Sequence, residues 1–152
     1  MQYLLQRALL ITCLSGSVST SVLAQSDVIG VVKTAAPDAA IVSNGRSTPA
    51  VPGTPVMRKS ILHTGAQGSL GVTFKDNTRI SIGPDTEVSV DDYLYAPSKG
   101  DLQLGASISK GTLEYVSGVI AKLKPEAVSI KTPTGTIGVR GTKFVVKVEA
   151  AQ

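Results

Sequence analysis

The sequence predicts a single all-β domain of short strands, either a sandwich or a short β-helix-like roll. Three observations carry this reading. Apolar residues recur at every second position in Leu70, Val72 and Phe74, in Ile80 and Ile82, and in Val88 and Val90, the period of a strand buried on one face. Of the 152 residues 42% are hydrophobic but only 4% aromatic, and 15 Gly and 8 Pro punctuate the chain, which suits a turn-rich sheet better than a helical bundle. Between the turn signals lie short runs of strand length, with no repeat at a fixed period that would indicate a regular solenoid.

Residues 1–24 read as an export signal. Arg7 precedes the apolar stretch Ala8–Leu14, and a Ser-rich bridge leads to Val22-Leu23-Ala24. Cleavage is expected after Ala24, leaving residues 25–152 as the domain. A lipid anchor on Cys13 is disfavoured because Thr12 stands where a smaller residue is expected. Cleavage removes the only cysteine and lowers the formal net charge from +4 to +3. Stability then rests on an ordinary core without disulfides. No later run of apolar residues is long enough for a membrane span, so none is expected in the mature form.

In chain order, Val28–Val32 and Ala40–Val42 read as short strands. Arg46–Pro55, with Pro49, Pro52, Gly53 and Pro55, reads as a loop that cannot join a central ladder. Ser60–His63 is the next strand. After Phe74, a two-residue loop would pair Phe74 with Arg79 and mix apolar and polar residues on one face. A three-residue loop, Lys75-Asp76-Asn77, instead pairs Val72 with Ile80 and Leu70 with Ile82, with Asn77 left-handed. Tyr93–Gly100 reads as a connection. Strands follow at 102–109, 112–116, 127–132 and 144–148, while Gly118–Leu123 is a strand or one helical turn. Between Val139 and Phe144 the apolar parity changes from odd to even, so one residue must be absorbed, and Gly141 is the natural bulge. Such a bulge re-aims Arg140. That side chain is expected to fold back and donate to backbone carbonyls or a carboxylate, with an exposed partner-binding arginine as the rival.

No catalytic constellation is visible. Without Cys13 the chain has one histidine, His63, at a strand end, and therefore no Cys/His pair and no zinc ligand set. Asp91 and Asp92 are adjacent and point apart on a strand, and Asp85, Glu87 and Asp92 lack calcium-loop spacing. Neither a nucleophile elbow nor a phosphate loop is present. The protein is expected to be no enzyme and to need no metal or cofactor. The charge is uneven, acidic from Asp76 to Asp101 and basic from Leu102 onward, which reads as solubilising and edge-protecting charge on outward strand positions, with a bipolar surface for a charged partner or glycan as the rival. Without a basic run or stacking aromatics, nucleic acid is not an expected partner. Tyr93 and Tyr95 share a face if extended and are the best candidate contact, with buried core tyrosines as the alternative.

The stretch Thr132-Pro133-Thr134-Gly135-Thr136-Ile137-Gly138-Val139-Arg140-Gly141-Thr142-Lys143-Phe144-Val145-Val146 closely resembles the carboxyl-terminal signature of FecR-type domains. Leu62-His63-Thr64-Gly65, Phe74-Lys75-Asp76-Asn77-Thr78 and Gly111-Thr112-Leu113 add to the resemblance, which runs from about Gly30 to Val148. Asn77 stands where the family usually has Gly, and it too tolerates the left-handed position. The motif residues are Thr132, Pro133, Gly138, Arg140, Gly141 and Thr142. The resemblance implies a non-enzymatic all-β domain in the periplasm or at the cell surface of a Gram-negative bacterium, binding or sensing through an envelope protein partner, with envelope signalling as its setting. FecR itself relays transporter occupancy to a cytoplasmic sigma factor through a cytoplasmic segment and a membrane helix. The expected cleavable leader departs from that plan and argues against a direct anti-sigma role. The alternative is a cell-wall or glycan-binding protein of the envelope.

Overall fold

The computed structural model describes residues 27–150, and the expected export signal lies outside them. Twelve strands form one curled sheet: β1 (Val28–Ala35), β2 (Ala39–Ser43), β3 (Arg46–Pro49), β4 (Pro55–Met57), β5 (Ile61–Thr64), β6 (Leu70–Phe74), β7 (Arg79–Ile82), β8 (Glu87–Ala96), β9 (Asp101–Val116), β10 (Val128–Thr132), β11 (Gly135–Gly138) and β12 (Lys143–Val148). The sole parallel pair among them is β9 with β10. The fold is all-β and closer to an open half-barrel than to a sandwich of two separate sheets.

β9 organises the curl. Laid straight, its 16 residues would run about 53 Å, longer than a domain of this size is across, roughly 36 Å. The strand turns at Gly111, whose φ is +94°, a conformation open to glycine and strained for other residues. Its first half pairs with β8 and β10, its second with β7 and β12. The expected two strands at 102–109 and 112–116 are therefore halves of one. From β9 one wing runs through β7, β6 and β1 to β4, and the other through β8, β5 and β2 to β3. Their inner faces share one core: Val72, Ile80 and Leu113 come from the first wing, Leu62, Val88 and Leu104 from the second, all essentially inaccessible. Stacking of Phe74 on Tyr93, with ring centroids 5.6 Å apart, joins the wings.

The β6–β7 hairpin forms in the expected register. Leu70 faces Ile82 and Val72 faces Ile80, Phe74 N–H donates to Thr78 O at 2.9 Å, and Asn77 is left-handed with φ +65°. Gly118–Leu123 takes the helical option as α1 (Val119–Leu123).

Three expectations need correction. Arg46–Pro55 is not wholly loop, because its ends form β3 and β4; both stand at the outer limits of the strand order, where a proline forfeits no central ladder bond. Tyr93–Ala96 continues β8 instead of connecting, because the register shifts between Val90 and Asp92 and this resets the buried parity from even to odd. The parity change near the carboxyl end is no bulge within a strand. It separates β11, which pairs with β10, from β12, which pairs with β9; Gly141, at φ +133°, lies in the connection between them.

Candidate functional site

The residues shared with the signature fall into two groups, a buried node and an exposed hairpin. The node grows from the β6–β7 turn. Asp76 is completely buried, and its carboxylate accepts from Thr78 O–H at 2.6 Å, Thr78 N–H at 3.3 Å, Tyr93 O–H at 3.1 Å and Ile120 N–H at 3.2 Å. Its backbone takes part as well: Asp76 N–H donates to the Tyr93 hydroxyl at 2.9 Å, and Asp76 O accepts from Val119 N–H at 2.7 Å. One residue thus ties the turn, β8 and the first turn of α1 together. At Gly118 a Cβ would run into the backbone of Asp76 and Thr78. Burial, reinforced by the Asp76 charge, pushes the Tyr93 phenol far above its ordinary pKa. Beside the node, Tyr115 stacks on Phe144 with centroids 5.0 Å apart; among the described residues its hydroxyl meets no partner at hydrogen-bond geometry, and burial raises its pKa too, with Thr78 and Ser117 close enough to moderate the rise.

A second buried pair pins the junction of the wings. Thr64 O–H donates to Gly83 O at 2.6 Å and accepts from Thr86 N–H at 3.1 Å, while Thr86 Oγ1 accepts from Thr112 N–H at 2.9 Å. The threonines of the Leu-His-Thr-Gly and Gly-Thr-Leu segments are thus placed by backbone bonding.

The exposed group is the β10–β11 hairpin. Thr132 faces Gly135 across a two-residue turn of Pro133 and Thr134, and its hydroxyl donates to Gly135 O at 3.0 Å and accepts from Thr134 N–H at 3.3 Å. Pro133 and Gly138 are exposed. From Gly138 the chain crosses to β12, where Ser117 O–H donates to Gly141 O at 2.6 Å and Ser117 N–H to Thr142 O at 2.9 Å. Arg140 does not fold back on the sheet. Its side chain is exposed, and among the described residues it meets neither a hydrogen-bond acceptor nor an ion-pair partner; it borders a cavity of about 500 Å³ with Glu126 and Val139. The neighbouring carbonyls of Gly141 and Thr142 are held by Ser117.

The two candidate contact tyrosines have different fates. Tyr93 is buried in the node, matching the core-tyrosine alternative; the bulge at Asp91 turns it into the core. Tyr95, on the same face, is half-buried against the core. His63 is partly exposed on β5, its Nδ1 3.9 Å from Glu87 Oε2. Asp91, at the bulge, accepts from Ser89 O–H at 2.8 Å and from Ser107 O–H. Sequence reasoning missed the hub role of Asp76, although an Asp two residues before a Thr in a turn is the pattern by which a carboxylate caps nearby backbone N–H groups.

The model of the family described as FecR protein matches residues 60–152, which includes the node, the junction threonines and the hairpin. The chain belongs to the FecR family. It is therefore a member of a family involved in envelope signalling. No curated protein and no solved structure matches it. In this FecR-family chain the signature thus divides by burial: Asp76 and Thr78 build the interior, while Thr132, Pro133, Gly138, Arg140, Gly141 and Thr142 shape an outward hairpin and its exit.

Proposed function

We propose that the protein is an exported, non-enzymatic binding or sensing module of the periplasm or cell surface, working through contact with an envelope protein. The observation that carries this reading is the coincidence of the family signature with an exposed hairpin, Thr132–Gly138, displayed at the margin of the curled sheet. A binding module needs a fixed scaffold and a displayed element. The glycan reading draws little support from the aromatic rings: Phe74, Tyr93 and Tyr115 are buried, and Tyr95 and Phe144 are half-buried against the core.

The test is amine-reactive cross-linking of the full chain expressed in a Gram-negative host, followed by fractionation of the envelope. The expected result is a mature protein beginning at Gln25, recovered outside the cytoplasm in discrete protein adducts. Retention of Met1 in a cytoplasmic protein, or recovery on cell-wall glycan without protein adducts, would overturn the proposal.

A further inference from the structure

A sheet that does not close must manage its edges. Among the described residues four strands have an unpaired side: β3, β4, β11 and β12. Three are guarded in the usual ways, by charge or proline. β3 carries Arg46 and Pro49, β4 begins at Pro55, and β12 alternates Lys143 and Lys147 along its outer face. β11 reads Gly-Thr-Ile-Gly, with neither charge nor proline, and is exposed apart from half-buried Ile137. Alternate N–H and C=O groups of a strand paired on one side point away from its neighbour and stay open to another strand.

Beside this edge runs a groove of about 630 Å³, bounded by the hairpin and by the end of β12, with Ile137, Val146 and Val148 as its apolar wall. Ile137 lies opposite buried Ile130 on the inner face of the hairpin, and Thr136 lies opposite exposed Lys131 on the outer face. Two cations flank the edge, Lys131 on β10 and Arg140 beyond the end of β11. Neither has an ion-pair partner among the described residues, whereas Lys143 and Lys147 have Glu114 and Glu149.

We propose that β11 accepts an extended segment of the partner as an added strand, and that this segment alternates apolar with acidic side chains. The apolar positions of such a strand fall toward the Ile137–Val148 groove. Its acidic positions lie on the face that carries Thr136, with Lys131 one strand further in and Arg140 beyond the end of β11, so both cations attract them through space and not as directly paired neighbours. A second copy of the chain fits worse, because pairing β11 with itself gathers two Lys131 and two Arg140 side chains around a four-residue strand. The inference rests on the protein-contact reading above.

The probe is a capped synthetic peptide of alternating valine and glutamate, compared with its lysine counterpart and with a backbone N-methylated form, added to the isolated protein. Amide hydrogen exchange and methyl shifts are read by NMR. The glutamate peptide is expected to slow exchange at Thr136–Gly138 and to shift the methyls of Ile137, Val146 and Val148. It should bind about tenfold more tightly than the lysine peptide, and N-methylation should abolish the effect. Lack of protection at β11, equal binding of both charge types, amide protection along β3, β4 or β12 in place of β11, or self-association through β11 would each overturn the proposal. If envelope adducts form while the peptide leaves β11 unprotected, the added-strand proposal fails and the protein-contact reading stands. If no protein adducts form, that reading itself fails.

Discussion

Asp76 shows how much one side chain can hold. Its carboxylate accepts from Thr78, Tyr93 and Ile120 with no exposed surface, so removing it strands several buried donors at once. Each stranded donor costs on the order of 1–3 kcal/mol, and Asp76→Ala is expected to destabilise by about 3 kcal/mol or more. Asp76→Asn keeps the shape but turns an amide N–H₂ toward groups that themselves donate; it should cost less than Ala and still lower the denaturant midpoint clearly. Arg140 is the opposite case. Its exposed side chain predicts that Arg140→Ala shifts stability by no more than about 0.5 kcal/mol, while weakening capture of an acidic partner; a large fall in the urea midpoint would contradict its placement. In the sequence both residues stood inside recognisable motifs, but burial sorted them the other way. The arginine looked structural because a glycine followed it, and nothing local announced that Ser117 would satisfy the neighbouring carbonyls. The aspartate looked like an ordinary turn residue because its partners Tyr93 and Ile120 lie far along the chain.

At the scale of elements, the β6–β7 hairpin was legible because its information is local: the alternation of Leu70, Val72, Phe74, Ile80 and Ile82 permits one register, and Asn77 supplies the turn. β8 was legible only to Val90, since the register shift inverts parity and disguises Tyr93 as loop. β3 and β4 were hidden by their prolines, which exclude a central strand but allow an edge. Nothing local showed that the two halves of β9 are one bent strand. The bend itself predicts a sharp outcome. At Gly111 a Cβ would meet the Thr86 side chain and backbone at a φ of +94°, so Gly111→Ala should destabilise by about 2 kcal/mol or more, while Gly135→Ala, with open space around it, should change stability little. Thermal melts of both variants beside the parent check this pair.

For the whole molecule, one core shared by two wings predicts a single cooperative unfolding transition, with alkali as its weak point. Burial raises the pKa of Tyr93 and Tyr115 in the folded chain, so above the ordinary tyrosine value of about 10 the unfolded state releases phenolic protons that the folded state keeps. Stability is therefore full below that pH and falls as pH rises beyond it. Denaturant midpoints between neutral pH and pH about 11 should decline, and Tyr93→Phe should flatten that decline although it also removes a hydrogen bond to Asp76. The all-β class and the family were readable from the sequence because they rest on alternation and on contiguous motifs. The curl and the open β11 edge were not, because they depend on which strands lie side by side.

The proposed contact of this FecR-family domain with its partner through the signature hairpin is tested by a photo-cross-linker scanned over the surface in living cells. With the probe placed in turn at Thr134, Thr136 and Arg140 on the hairpin side, and at Arg46, His63 and Ser81 elsewhere, protein adducts should concentrate at the first three positions. Adducts spread evenly, or concentrated at the last three, would contradict it.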